Sequence, residues 1–109
     1  MNVIEGIVSV KRKEYEEYVT SRCQDYVDQN YCVIAINGES GEIAEFEKKY
    51  TLRGNPKGDL TRNDLLLEIG DVLFYLTRLA ALNGWSLDDV MEANREKLDG
   101  RVERGAVIA

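Results

Sequence analysis

The chain contains no histidine, one proline and two cysteines in 109 residues. Without histidine there is no Ser-His or Cys-His nucleophile, and neither zinc sites nor ferritin-like Glu-x-x-His sites fit. Cys23 and Cys32 lack the Cys-x-x-Cys spacing and make no disulfide framework, so both read as reduced, partly buried thiols. No apolar run approaches the length of a membrane span. Met1 to Val10 carries Glu5 and lacks the basic start and long apolar stretch of a signal peptide. A cytoplasmic location is the resulting expectation. Bases are in the minority, 14 against 20 acids for a net charge of −6. That balance argues against a nucleic-acid polymer or an anionic membrane as the main partner.

With Pro56 alone to interrupt it, the chain reads as all-α. A first helix is predicted from about Ser9 to Asp28, with Tyr15, Tyr18, Val19, Arg22 and Tyr26 on one side. A second covers roughly Tyr31 to Leu52. Gly38 and Gly41 weaken it and leave room for close approach of another helix or an ion. Residues 53–60 carry every turn signal. Thr61 and Asp64 form a capping-box pattern for a third helix that runs to Leu82 or Asn83 and ends at Gly84. Ser86 and Asp89 repeat the pattern for a fourth, which fades near Gly100. The tail to Ala109 is expected to be extended or poorly ordered. Residues 1–109 thus read as one domain of four-helix-bundle type. Its core is small enough that assembly as a homodimer or homotetramer is expected.

Two of these helices place acids where apolar residues belong. At 100° per residue, Ile36, Glu42, Ile43, Phe46 and Tyr50 all lie within about 60° of Glu39. Around Glu68 the same arc holds Leu65, Asp71, Val72, Tyr75, Leu79 and Leu82. A lone Glu-x-x-Glu is ordinary solvated surface. Two acidic pairs, both on predicted apolar stripes, are not. Desolvating a carboxylate costs several kcal/mol unless something compensates, and four inward acids also repel one another. A hard divalent cation removes both costs; Mg²⁺ is the expected ion, with Mn²⁺ as the alternative. On the fourth helix Asn94, Lys97 and Arg101 fall on the stripe of Leu87, Val90, Met91 and Leu98. Acids that hold a metal, with cations nearby, suit a phosphate-bearing ligand. Arg101 and Arg104 also sit where cations favour a helix C-terminus in any case. Trp85 reads as packing, and Lys57 as a solvated loop lysine.

Three segments carry a resemblance: Gly38-Glu39-Ser40-Gly41-Glu42-Ile43-Ala44-Glu45, Glu68-Ile69-Gly70-Asp71-Val72-Leu73-Phe74-Tyr75-Leu76 and Asn94-Arg95-Glu96-Lys97-Leu98-Asp99-Gly100-Arg101. In order and spacing they resemble the MazG-like all-α nucleoside triphosphate pyrophosphatases, over about residues 31 to 105. The resemblance is to the small single-domain type of bacteria and phages. It implies Mg²⁺-dependent cleavage of a nucleoside triphosphate between the α and β phosphates. It also implies Glu39, Glu42, Glu68 and Asp71 as the catalytic metal ligands, one glutamate serving the attacking water. Tyr75 would meet the nucleotide, and Asn94, Lys97 and Arg101 its phosphates or sugar. Many members pair so that helices of two subunits complete each site. The tryptophan or histidine that some relatives use for the base, from the leading helix region, is missing here. Two other classes compete: a non-catalytic metal- or nucleotide-binding dimerisation module, and a purely structural helical bundle.

Overall fold

The computed structural model describes residues 3–105, with side chains from Lys11 onward. It consists of α1 (Val3–Arg22), α2 (Gln29–Glu47), a π-helical turn at Lys48–Leu52, α3 (Arg62–Leu82) and α4 (Leu87–Glu103). No strand occurs among the described residues, and no helix there is long and apolar enough to cross a membrane.

The caps explain most of the boundaries. Thr61 with Asp64 and Ser86 with Asp89 both close capping boxes, as their spacing predicts. Asp28 caps α2 by accepting from the Tyr31 amide at 2.9 Å. That use of Asp28 ends α1 at Arg22, six residues before the predicted stop, while α1 starts earlier, at Val3. The intervening turn is anchored by Val27, which is buried and accepts from Arg78 Nε at 2.9 Å. Gly84 takes φ +78° beyond α3, the left-handed geometry that ends helices. Helix α4 runs on past Gly100 to Glu103. The tail from residue 106 lies outside the described residues.

Helix α3 is the centre. It pairs most extensively with α2 and also packs against α1. Helices α2 and α3 are antiparallel: residues 53–61 join them at one end, and at the other Asn83 Nδ2 donates to Gln29 Oε1 at 3.0 Å. Helix α4 is tied down at its start, where the Leu87 amide donates to Glu16 Oε1 (3.1 Å) and Arg12 pairs with Asp88 (2.6 Å).

The expected four-helix bundle is therefore open. Past Leu87, the residues of α4 are exposed apart from the half-buried Leu98 and Gly100. Among the described side chains only Val19, Val27, Cys32, Phe46, Ala80 and Thr77 are buried. The radius of gyration is 17.0 Å, against about 13 Å for a compact chain of this length. The accessible surface is 8426 Å² at 12.4 kDa, about 2,300 Å² more than a typical folded monomer of that mass exposes. Exposed apolar side chains contribute to it. Leu66, Ile69, Leu73 and Leu76 follow the 3-4-3 spacing of a coiled-coil seam along α3, yet each is 40–64% exposed. Trp85, expected to pack, is 58% exposed and borders an apolar groove with Leu76, Leu87 and Met91.

Candidate metal centre

Glu39 of α2 and Glu68 and Asp71 of α3 bring one carboxylate oxygen each to within 4.8 Å of one another. The stripe that seats Glu39 is buried or half-buried throughout: Cys32, Ala35, Ile36, Ile43, Phe46 and Tyr50. Glu68 sits in a matching stripe of Leu65, Val72, Tyr75 and Leu79, all half-buried. The antiparallel pairing brings the two stripes together, and the acids meet because each replaces an apolar residue in its stripe. Glu39 and Glu68 are half-buried, while Asp71 lies at the exposed edge.

The electrostatics are unfavourable as they stand. Glu68 is held above the ordinary glutamate pKa by desolvation first, then by the charges of Asp71, Glu42, Glu39 and Asp64. No ion pair to these acids occurs among the described residues. Helix α1 closes a third side, where Tyr15 has its phenol pKa raised by burial, by Tyr18 and by the charge of Asp71.

The donor set fits a hard divalent cation. Oxygens around an octahedral Mg²⁺ at ~2.1 Å stand about 3 to 4 Å apart. A spread of 4.8 Å reaches that with small rotations of side chains that are only half-buried or exposed. Waters or ligand oxygens would fill the remaining positions.

Glu42 is different. It is exposed and contributes no oxygen to the triad, although its charge bears on Glu68. Gly38 and Gly41 face open space: among the described residues no other helix comes within 4 Å of where a Cβ would stand. Tyr75 stands half-buried one turn beyond Asp71. Its phenol pKa is raised by burial, then by Tyr31, and also by the charge of Glu39.

Asn94, Lys97 and Arg101 were expected to face inward, and they do not. All three are exposed on α4, and so are Val90 and Met91 of the same stripe. The stripe is present, but among the described residues nothing covers it: Val90 and Met91 line the open groove beside Leu73 and Leu76. Tyr31 was overlooked by the sequence reading. It lies two helical turns before Glu39 with Ala35 between them, an i, i+4, i+8 row that was available in the sequence.

Fold and site together define an all-α domain whose antiparallel central helices gather carboxylates suited to a divalent cation. The chain belongs to the MazG nucleotide pyrophosphohydrolase domain family, whose model matches residues 29–105. It is similar to the Gene 37 protein of Mycobacterium phage L5, with 36% identity over 89 residues, 78% of this chain and 75% of that protein. It is also similar to the uncharacterized protein YvdC of Bacillus subtilis (strain 168), with 37% identity over 71 residues, 60% of this chain and 67% of that protein. No solved structure matches the chain. Membership points to nucleotide pyrophosphohydrolase activity in general.

Proposed function

We propose that the chain is a Mg²⁺-dependent nucleoside triphosphate pyrophosphohydrolase acting in cytoplasmic nucleotide-pool control, with Mn²⁺ as a substitute ion. The reaction adds water across the α–β phosphoanhydride and yields a nucleoside monophosphate and pyrophosphate. The observation that carries this reading is the convergence of Glu39, Glu68 and Asp71, with no basic side chain paired to them among the described residues. In a protein made only for structure such a cluster would be a standing cost. A bound divalent cation supplies charge neutralisation on the phosphates and lowers the pKa of bound water. Glu39, Glu68 and Asp71 would hold it; Glu42, exposed beside them, stands where a glutamate could orient the attacking water. Tyr75 borders the site as a nucleotide contact.

The phosphate partners Asn94, Lys97 and Arg101 complete the site from a second copy of the chain. Two features support that reading. Helix α4 carries them away from its own core. The surface excess of about 2,300 Å² per chain is of the size that obligate dimers bury. The exposed α3 seam is the natural place for the copies to meet, as a homodimer or a homotetramer. Analysis of the products from a panel of ribo- and deoxyribonucleoside triphosphates tests the reaction. Monophosphate plus pyrophosphate, formed only with a divalent ion, is the expected result. Release of orthophosphate and a diphosphate would overturn it. Tight Mg²⁺-dependent binding without turnover would favour the binding module instead.

A further inference from the structure

Three tyrosine rings lead away from the acids. Tyr75 is one turn along α3 from Asp71. Its ring centroid lies 6.0 Å from that of Tyr31, and Tyr31 in turn lies 5.7 Å from Tyr26 in an edge-on pair. Tyr31 stands eight residues before Glu39, about 12 Å along the helix axis. Tyr26 and Tyr31 are 65% and 42% exposed. Rings that served only to hold α2 to the preceding turn would bury themselves. That task already belongs to Val27, Cys32 and the Arg78–Val27 hydrogen bond. The outer pair is thus aromatic surface beside a polar site, at the separation expected between the phosphates and the base of one nucleotide. It is also distinct from the α3 seam: Leu66, Ile69, Leu73 and Leu76 fall on the side of α3 away from Asp71 and Tyr75.

Building on the nucleotide reading above, we infer that Tyr31, with Tyr26 beside it, is the platform on which the substrate's nucleobase stacks. Tyr75 lies between base and phosphates, next to the sugar. Tyr26 and Tyr31 offer a base their ring faces and a phenol hydroxyl each, with no amide or charge, and the Tyr31 hydroxyl is engaged with Tyr75. Selection is therefore by ring area, and the enzyme accepts several bases, larger purines binding more tightly than pyrimidines.

The test compares Tyr31→Ala, Tyr31→Phe and Tyr26→Ala with the wild-type protein on two probes. One is a purine nucleoside triphosphate, assayed for turnover, with its α,β-methylene analogue assayed for binding. The other is Mg²⁺-tripolyphosphate, which has phosphates and no base. Tyr31→Ala should raise KM for the nucleotide and weaken binding of the analogue by ~10-fold or more, with kcat little changed. Tyr31→Phe keeps the ring and loses only the hydroxyl that meets Tyr75, so it should retain most of the nucleotide affinity, and tripolyphosphate affinity should stay the same in every variant. Should Tyr31→Ala fail to fold, Tyr26→Ala, at a far more exposed ring, should show the same pattern at smaller size. Equal losses on nucleotide and tripolyphosphate, or no loss on either, would overturn the platform while leaving the pyrophosphohydrolase reading intact. A wild-type protein that binds and cleaves no nucleotide would remove both.

Discussion

Helices α2 and α3 on one side and α4 on the other pose the same puzzle in sequence: ionisable side chains set into apolar stripes. The fold resolves it in opposite ways. In the α2–α3 pair the stripes face each other, and Glu39, Glu68 and Asp71 converge. On α4 the stripe of Val90 and Met91 faces solvent, and Asn94, Lys97 and Arg101 go with it. An apolar stripe specifies that a helix will be covered, but not by what. Where the covering helix belongs to the same chain, the site appears complete. Where it belongs to another copy, as we propose for α4, half of the site looks like surface.

The largest expected effect breaks the α2–α3 half. Glu68→Gln or Asp71→Asn should lower turnover by well over ~100-fold, since even the outer shell of a metal site is commonly worth 10–100-fold. The metal-free variants should melt no lower than the parent, because one of several mutually repelling carboxylates is gone and its shape kept. Mg²⁺ should raise the melting temperature of the parent and not of the variants. A parent protein unresponsive to Mg²⁺ would leave the acidic cluster without a purpose.

Next in size is the α4 half. Lys97→Ala should reduce kcat/KM by ~10-fold or more, the loss of a charge-assisted contact. If Lys97 serves the partner's site, mixing the impaired Lys97→Ala and Asp71→Asn proteins should raise activity above that of either alone. Random dimers would recover about a quarter of the parent rate, because one site of each mixed pair is intact. Failure to complement, in proteins shown to exchange subunits, would mean that α4 serves its own chain or none. Leu73→Glu with Leu76→Glu should yield monomers by light scattering at micromolar concentration, with turnover lost and the acid triad still present.

A smaller effect separates Glu42 from its neighbours. Exposed and outside the triad, it should matter less for holding the ion than Glu68 or Asp71 does. Glu42→Gln should therefore lower Mg²⁺ affinity less than Asp71→Asn, whatever it does to turnover. Equal losses of affinity would show that Glu42 rotates inward when metal binds.

These contrasts mark how far the sequence could be read. Capping residues are local, and Thr61–Asp64 and Ser86–Asp89 placed two helix starts correctly. Periodicity alone carries α1 on to Asp28, because the role of Asp28 as the cap of α2 depends on the turn at Val27, which no periodicity shows. The acidic stripes were legible because burying charge is costly, which makes an inward acid conspicuous. Glu42 shares the 60° arc of Glu39 yet is exposed in the metal-free fold, because that arc is wider than the face α3 covers. Lys97 and Arg101 were read as inward because a helical pattern carries no record of which chain supplies the other side. The tyrosine row escaped notice because aromatic residues on a stripe look like core, and only exposure distinguishes Tyr26 and Tyr31 from core rings.

The smallest expected effect is a pH dependence peculiar to the α2–α3 half. Glu68 has its pKa raised in the folded protein by desolvation and by Asp71, Glu42, Glu39 and Asp64. Folding therefore favours its protonated form. The contribution to stability is fully present below the ordinary glutamate value and is lost as pH rises through the raised one. The metal-free protein should thus gain stability on mild acidification through that window, where an isolated surface glutamate would contribute nothing. Asp71→Asn removes the largest neighbouring charge and should flatten the slope. Saturating Mg²⁺ should reverse it, since an ion bound to carboxylates favours their ionised form and is released as they protonate. Melting curves of the parent and of Asp71→Asn across mildly acidic pH, with and without Mg²⁺, measure all three. A metal-free slope of the opposite sign, or one that Asp71→Asn leaves unchanged, would mean that the acids are relaxed in solution and that repulsion among them is no driving force for taking up an ion.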